Sequence, residues 1–152
     1  MNRLLLTLAI TVTAGSLIFS NQAAAQLLPP AKKAQRVKIS KGPELESATD
    51  QRTIIRWVTN NPGGSDVHFG IVHYGTNPRG LNQTAKNPIR LNQGHQQTMF
   101  RVRIAGLKPR TTYYYKVTSE ESTGKSDGVT STVKEFTTPA SGERIVFTPR
   151  PD

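Results

Sequence analysis

Residues Leu107–Val117 read LKPRTTYYYKV. Pro109 fixes its own φ and brings no amide donor, so it belongs in a turn. The β-branched and aromatic run that follows suits a pleated, half-buried strand. The two-residue period puts Tyr113, Tyr115 and Val117 on one face and Thr112, Tyr114 and Lys116 on the other. A tyrosine at the start of such a strand can bury its ring and return its hydroxyl to the upstream backbone, which is the corner device of β-sandwiches. Leu107, Pro109 and Tyr113 thus predict a corner, and Tyr115 a core position.

Working outward, short strands recur at near-regular spacing. Val37 and Ile39 alternate with Arg36 and Lys38 over Arg36–Ser40, the first expected strand. Lys41–Gln51, with Gly42-Pro43 and scattered acids, reads as a loop. Arg52–Thr59 is a second strand, with Trp57 expected inward because it brings the largest apolar area. Val67–Tyr74 is a third. Thr84–Leu91 reads as a weak edge strand broken by Pro88, and Gln97–Ala105 as a clear strand. Thr111–Ser119 follows the corner, Glu120–Asp127 is a polar hairpin, and Thr130–Thr137 closes the set. No stretch of ten or more residues after Phe19 has helical periodicity. The expectation is an all-β, seven-stranded, immunoglobulin-like antiparallel sandwich.

The chain has 152 residues, a formal charge of +10 and no cysteine. Asn2-Arg3, the uncharged apolar stretch Leu4–Phe19 and the small residues Ala23-Ala24-Ala25 read as a secretory leader over residues 1–25. Arg3 is the only charge in that leader, so the remainder carries +9. A linker is expected over 26–35, the sandwich over 36–139 and a tail over 140–152. Nothing after the leader suits a membrane span. The expected location is periplasmic or extracellular, with the fold held by its core rather than by disulfides. The excess positive charge points to anionic partners, above all a cell-surface polyanion.

The ordered features resemble a fibronectin type III domain. These are Trp57 on the second strand, Tyr74-Gly75 ending the third, and the corner of Leu107, Pro109, Thr111 and Tyr113. A closer resemblance is to the N-terminal fibronectin-like domain of purple acid phosphatases. Val72-His73-Tyr74-Gly75-Thr76, Gly106-Leu107-Lys108-Pro109 and Phe136-Thr137-Thr138-Pro139 carry it. The resemblance implies an accessory domain whose relatives do their chemistry in a following two-metal domain. The ligand motifs of that domain (Asp-x-His, Gly-Asp-x-x-Tyr, Gly-Asn-His-Asp/Glu, Gly-x-His-x-His) do not occur in this sequence. The rival class, a metal-dependent acid phosphatase, is disfavoured on that ground.

The sequence nominates no catalytic residue, cofactor or metal. His68 and His73 are five apart on one strand and face opposite ways, and His95 is remote in a loop. There is no nucleophile elbow. The acids fall in two expected loops, Glu44, Glu46 and Asp50 in one and Glu120, Glu121 and Asp127 in the other, where solvation accounts for them. The basic residues are more informative. Arg36 and Lys38, Arg52 and Arg56, and Arg101 and Arg103 all alternate with core residues on strands expected to share a sheet. Their common face, expected to hold no acid, is either a solvated surface or a site for an anionic polymer, since arginine offers a fork suited to phosphate, sulfate or carboxylate. The tail segment Ile145-Val146-Phe147 either docks on its own domain or adds a strand to a protein partner.

Overall fold

A computed structural model describes residues 32–147. The expected leader, most of the expected linker and residues 148–152 lie outside the described residues. Nine strands run through the described part. They are β1 Ile39–Thr49, β2 Arg52–Asn60, β3 Val67–Gly75, β4 Gln83–Arg90, β5 Gln97–Ala105, β6 Thr112–Glu121, β7 Ser126–Thr130, β8 Lys134–Thr137 and β9 Arg144–Val146. Sheet A has the order β5-β2-β1-β9; sheet B has the order β4-β3-β6-β7, with β8 also paired to β6. All pairings between these strands are antiparallel.

The alternation read from the sequence becomes the core. Ile55, Trp57, Phe100, Val102 and Ile104 from sheet A meet Val72, Tyr74, Tyr113, Tyr115, Val117 and Phe136 from sheet B. Trp57 and Phe100 stack with ring centroids 5.2 Å apart. Across the sandwich they press on Gly70 of β3. A Cβ added there would stand 2.9 Å from Trp57 Cη2, 3.0 Å from Phe100 Cδ1 and 3.1 Å from Val102 Cγ2. Glycine is thus required by close approach, not by its backbone angle. The corner closes as expected: Lys108 N–H donates to the Tyr113 hydroxyl at 3.0 Å. Thr138 completes it, accepting from Thr111 N–H at 2.9 Å and donating to the Lys108 carbonyl at 2.6 Å.

Three expectations need correction. The first strand does not span Arg36–Ser40 with a loop after it; β1 starts at Ile39 and runs through Gly42-Pro43. It does so with register shifts between Ile39 and Lys41, Lys41 and Glu44, and Leu45 and Ser47. Glycine and proline here mark bulges in a continuing strand rather than its end. Gly42 has φ +78°, and a Cβ on it would meet the Arg56 carbonyl oxygen at 2.9 Å. Pro88 does not break β4, which pairs with β3 from Val67↔Arg90 to Tyr74↔Gln83; an edge strand tolerates proline where its nitrogen faces away from the neighbour. The last strand is two, β7 and β8. Between them Ser131 steps across the ladder, its N–H donating to the Val117 carbonyl and its hydroxyl accepting from Val117 N–H, both at 3.0 Å. Of the two outcomes expected of the tail, it takes docking on its own domain: it contributes β9, which pairs with β1 through Ser47↔Val146, Ala48↔Ile145 and Thr49↔Arg144.

Two predictions follow from the core. Gly70→Ala forces Trp57, Phe100 or Val102 to shift and should destabilise by about 1–3 kcal/mol, read as a lowered urea midpoint; an unchanged midpoint would refute the tight inter-sheet contact. The Tyr115 hydroxyl is pushed up from 10.0 to about 12, first by burial and then by the charge of Glu44. Its neutral form therefore favours the fold fully below pH 10, and that contribution is lost as pH rises towards 12. Stability should fall across this window, and Tyr115→Phe should flatten the fall.

Candidate anion-binding face

The outward positions of β2 and β5 build the outer face of sheet A. Their register sets Arg56 opposite Arg101, Ile54 opposite Arg103 and Arg52 opposite Ala105. Two arginines side by side in a sheet repel each other. The fold answers with acids from β1, because the segment expected as a loop is a strand on this face. Glu44 lies opposite Arg56 and accepts from Arg56 Nε at 2.9 Å and Nη2 at 2.7 Å. Glu46 takes Arg101 with both carboxylate oxygens, one of them from Nε at 2.8 Å. That hydrogen-bonded charge raises the Arg101 pKa further.

The expected row of six cations free of acids is therefore divided. Arg56 and Arg101 are compensated. Arg36 and Lys38 precede β1 and line a side groove with Gly42, Pro43 and Lys134. Arg52 and Arg103 remain on the sheet, and a third arginine joins them: Arg144 of β9. Together with Ser47, Thr49 and Ile54 they line an open depression of about 300 Å³. Among the described residues these three arginines enter no ion pair. Arg144 was not among the residues nominated from the sequence. The apolar run Ile145-Val146-Phe147 marked the tail as strand-like, but its register against β1 is a long-range pairing that no local pattern encodes.

The acids of the second expected loop are not left to solvent either. Glu120 pairs with Lys86 and Glu121 with Lys33. The Lys33 hydrogen bond, aided by one from Ser65, holds the Glu121 carboxyl below its ordinary range. Asp127 is buried on β7, where its Oδ2 accepts from Ser119 Oγ at 2.7 Å and lies 2.9 Å from His68 Nδ1. His68 Nε2 lies 3.1 Å from the Gly63 carbonyl. Both ring nitrogens thus face acceptors. Serine, histidine and aspartate do come together here, but the carboxylate sits between the other two and His68 is fully buried. This is a structural clamp between β3, β6 and β7, with no hydroxyl–imidazole contact to activate a nucleophile. His73 is on the opposite face of β3, its Nε2 3.1 Å from Thr118 Oγ1, and burial, then the charge of Lys116, lowers its pKa. Among the described residues no three metal-ligating side chains converge, and no helix is long and apolar enough to cross a membrane.

The two sheets, the buried Trp57 and the tyrosine corner define a fibronectin type III-like sandwich. The family described as Purple acid Phosphatase, N-terminal domain, matches over residues 42–138, and the chain belongs to that family. Among solved structures it is similar to the sensor domain of the anti-sigma factor RsgI4 in Pseudobacteroides cellulosolvens. The identity is 21% over 71% of this chain and 99% of that one, with a TM-score of 0.49. It is also similar to an fn3 domain of human contactin 1, at 15% identity over 80% of this chain and 95% of that one, with a TM-score of 0.42. A search of curated proteins found no match.

The buried clamp makes a test of its own. Asp127→Ala leaves the His68 ring and the Ser119 hydroxyl without their shared acceptor. The expected loss is about 2–5 kcal/mol, since two buried groups lose a hydrogen-bond partner at about 1–3 kcal/mol each, measured by urea denaturation. A loss below about 1 kcal/mol, the range of exposed pairs, would show that the clamp is not built as described.

Proposed function

We propose that this chain is an exported, non-catalytic accessory module that holds an anionic polymer, of the acidic-glycan class, on the outer face of sheet A. The leader-like residues 1–25 support export. The charge of +10 supports an anionic partner. The observation that carries the reading is the imbalance on the face itself. Glu44 and Glu46 neutralise Arg56 and Arg101, while Arg52 and Arg103 project with no acidic partner among the described residues. A surface kept merely soluble needs both signs interspersed; here the acids of β1 pair with Arg56 and Arg101, while Arg52 and Arg103 form no ion pair among the described residues. Arginine's planar fork fits sulfate, phosphate and carboxylate groups along such a polymer.

Salt-dependent retention on heparin resin tests it. The native chain should be retained at low ionic strength and released as salt rises, since exposed charges are screened over roughly 10 Å at 0.1 M. The Arg52→Ala, Arg103→Ala double variant should elute clearly earlier, whereas Arg36→Ala, Lys38→Ala should elute closer to the native position. Passage of the native chain without retention at low salt would remove the reading.

A further inference from the structure

We infer that Arg52, Arg103 and Arg144 form a receptor for one tetrahedral oxyanion, the phosphate or sulfate group of a ligand, rather than a diffuse patch of charge. The inference rests on the anion-binding reading above and gives it an address and a preferred group. The three arginines come from three different strands, β2, β5 and β9, and border one depression of about 300 Å³. Its other sides are the hydroxyl-bearing Ser47, Thr49 and Thr53 and the half-buried Ile54. No acid lines this depression.

The acids closest in the chain are already engaged. Arg52 and Arg144 also border the adjoining hollow that holds Asp50 and Glu143. Asp50 Oδ2 accepts from Ser141 Oγ at 3.3 Å and Gly142 N–H at 3.4 Å, and Glu143 Oε2 accepts from Ala140 N–H at 3.3 Å. Both carboxylates thus tie down the turn that leads into β9. The turn delivers Arg144 opposite Thr49, and the Phe147 N–H donates to the Glu46 carbonyl at 3.0 Å.

Like charges brought to one hollow repel, and a bound anion removes that repulsion. A carboxylate offers two oxygens in a plane and matches one fork. A tetrahedral group presents oxygens in several directions and can accept from three forks at once. The geometry therefore favours sulfate and phosphate over carboxylate. It also links binding to the tail. Ile145, Val146 and Phe147 stay 37%, 59% and 45% exposed, so apolar burial contributes little to seating β9. An anion shared between Arg144 and the β2 and β5 arginines would fasten β9 to the sheet.

The test is a titration of the purified chain with inorganic phosphate, inorganic sulfate and acetate, followed by amide NMR shifts and amide hydrogen exchange. Phosphate and sulfate should shift the Ser47, Thr49 and Arg144 signals, and should slow exchange at Val146 and Phe147; acetate should do so at least about tenfold more weakly. Arg144→Ala and Arg103→Ala should each weaken binding at least about tenfold, the loss of one charge-assisted contact. Arg144→Lys keeps the charge and loses the fork, and should fall between. Equal response to acetate, or unchanged binding in both alanine variants, overturns the receptor. Heparin retention of the native chain separates the two readings. Retention with no Arg144 dependence leaves polymer binding standing and removes the receptor. Arginine-dependent phosphate binding without heparin retention supports the receptor and removes the polymer.

Discussion

The contact of Trp57 and Phe100 with the bare backbone of Gly70 sets the distance between the two sheets. With no side chain on Gly70, the edge of the largest ring of the molecule reaches the β3 backbone, and Val102 closes the gap beside it. Everything outward is referenced to that contact. The inward set on β2 and β5 is fixed by it, so the residues between must point to solvent, and Arg52, Arg56, Arg101 and Arg103 share a face as a consequence of the core. The tyrosine corner performs a similar task at the end of the sandwich. Tyr113 holds the chain entering β6, and Thr138 ties the end of β8 to the same turn.

How far the sequence could be read depended on whether the deciding forces were local. Tyr113, Tyr115, Trp57 and the alternation of β5 were legible because a two-residue period and a proline-containing turn are properties of neighbouring residues. β1 was misjudged because Gly42-Pro43 is a local breaker signal, while the pairing that overrides it, with β2, comes from the tertiary ladder. The consequence was electrostatic as well as topological. Read as a loop, the segment leaves Glu44 and Glu46 to solvent and the face of sheet A wholly basic. Once the segment is a strand, those two carboxylates lie among the arginines, and the uncompensated charge moves to the Arg52 end.

Arg144 was beyond reach for a related reason. Its significance lies in facing Thr49, a residue almost a whole domain earlier in the chain. Asp127 shows the same limit from the opposite side. In sequence it is one acid in a polar hairpin; in the fold it is buried beside His68 and Ser119, because β7 turns alternate residues inward. Charged residues near turns are the ones whose fate the chain settles late, through partners contributed by distant strands.

The edges of the two sheets carry a further consequence. β4, the border of sheet B, exposes Lys86, Pro88 and Arg90, and Asn87 Nδ2 donates to the Arg101 carbonyl of β5 at 3.0 Å. One rim thus presents charge and a residue without an amide hydrogen, and part of the facing rim is already occupied by a side chain. On the far side of sheet A the border strand β9 is three residues long, and Pro149 and Pro151 follow in the sequence. Charge, proline and brevity are the devices that keep strands of separate molecules from zipping together. At β4 and β9 the domain, which has no disulfide to restrain it, thus offers a second copy little backbone to pair with.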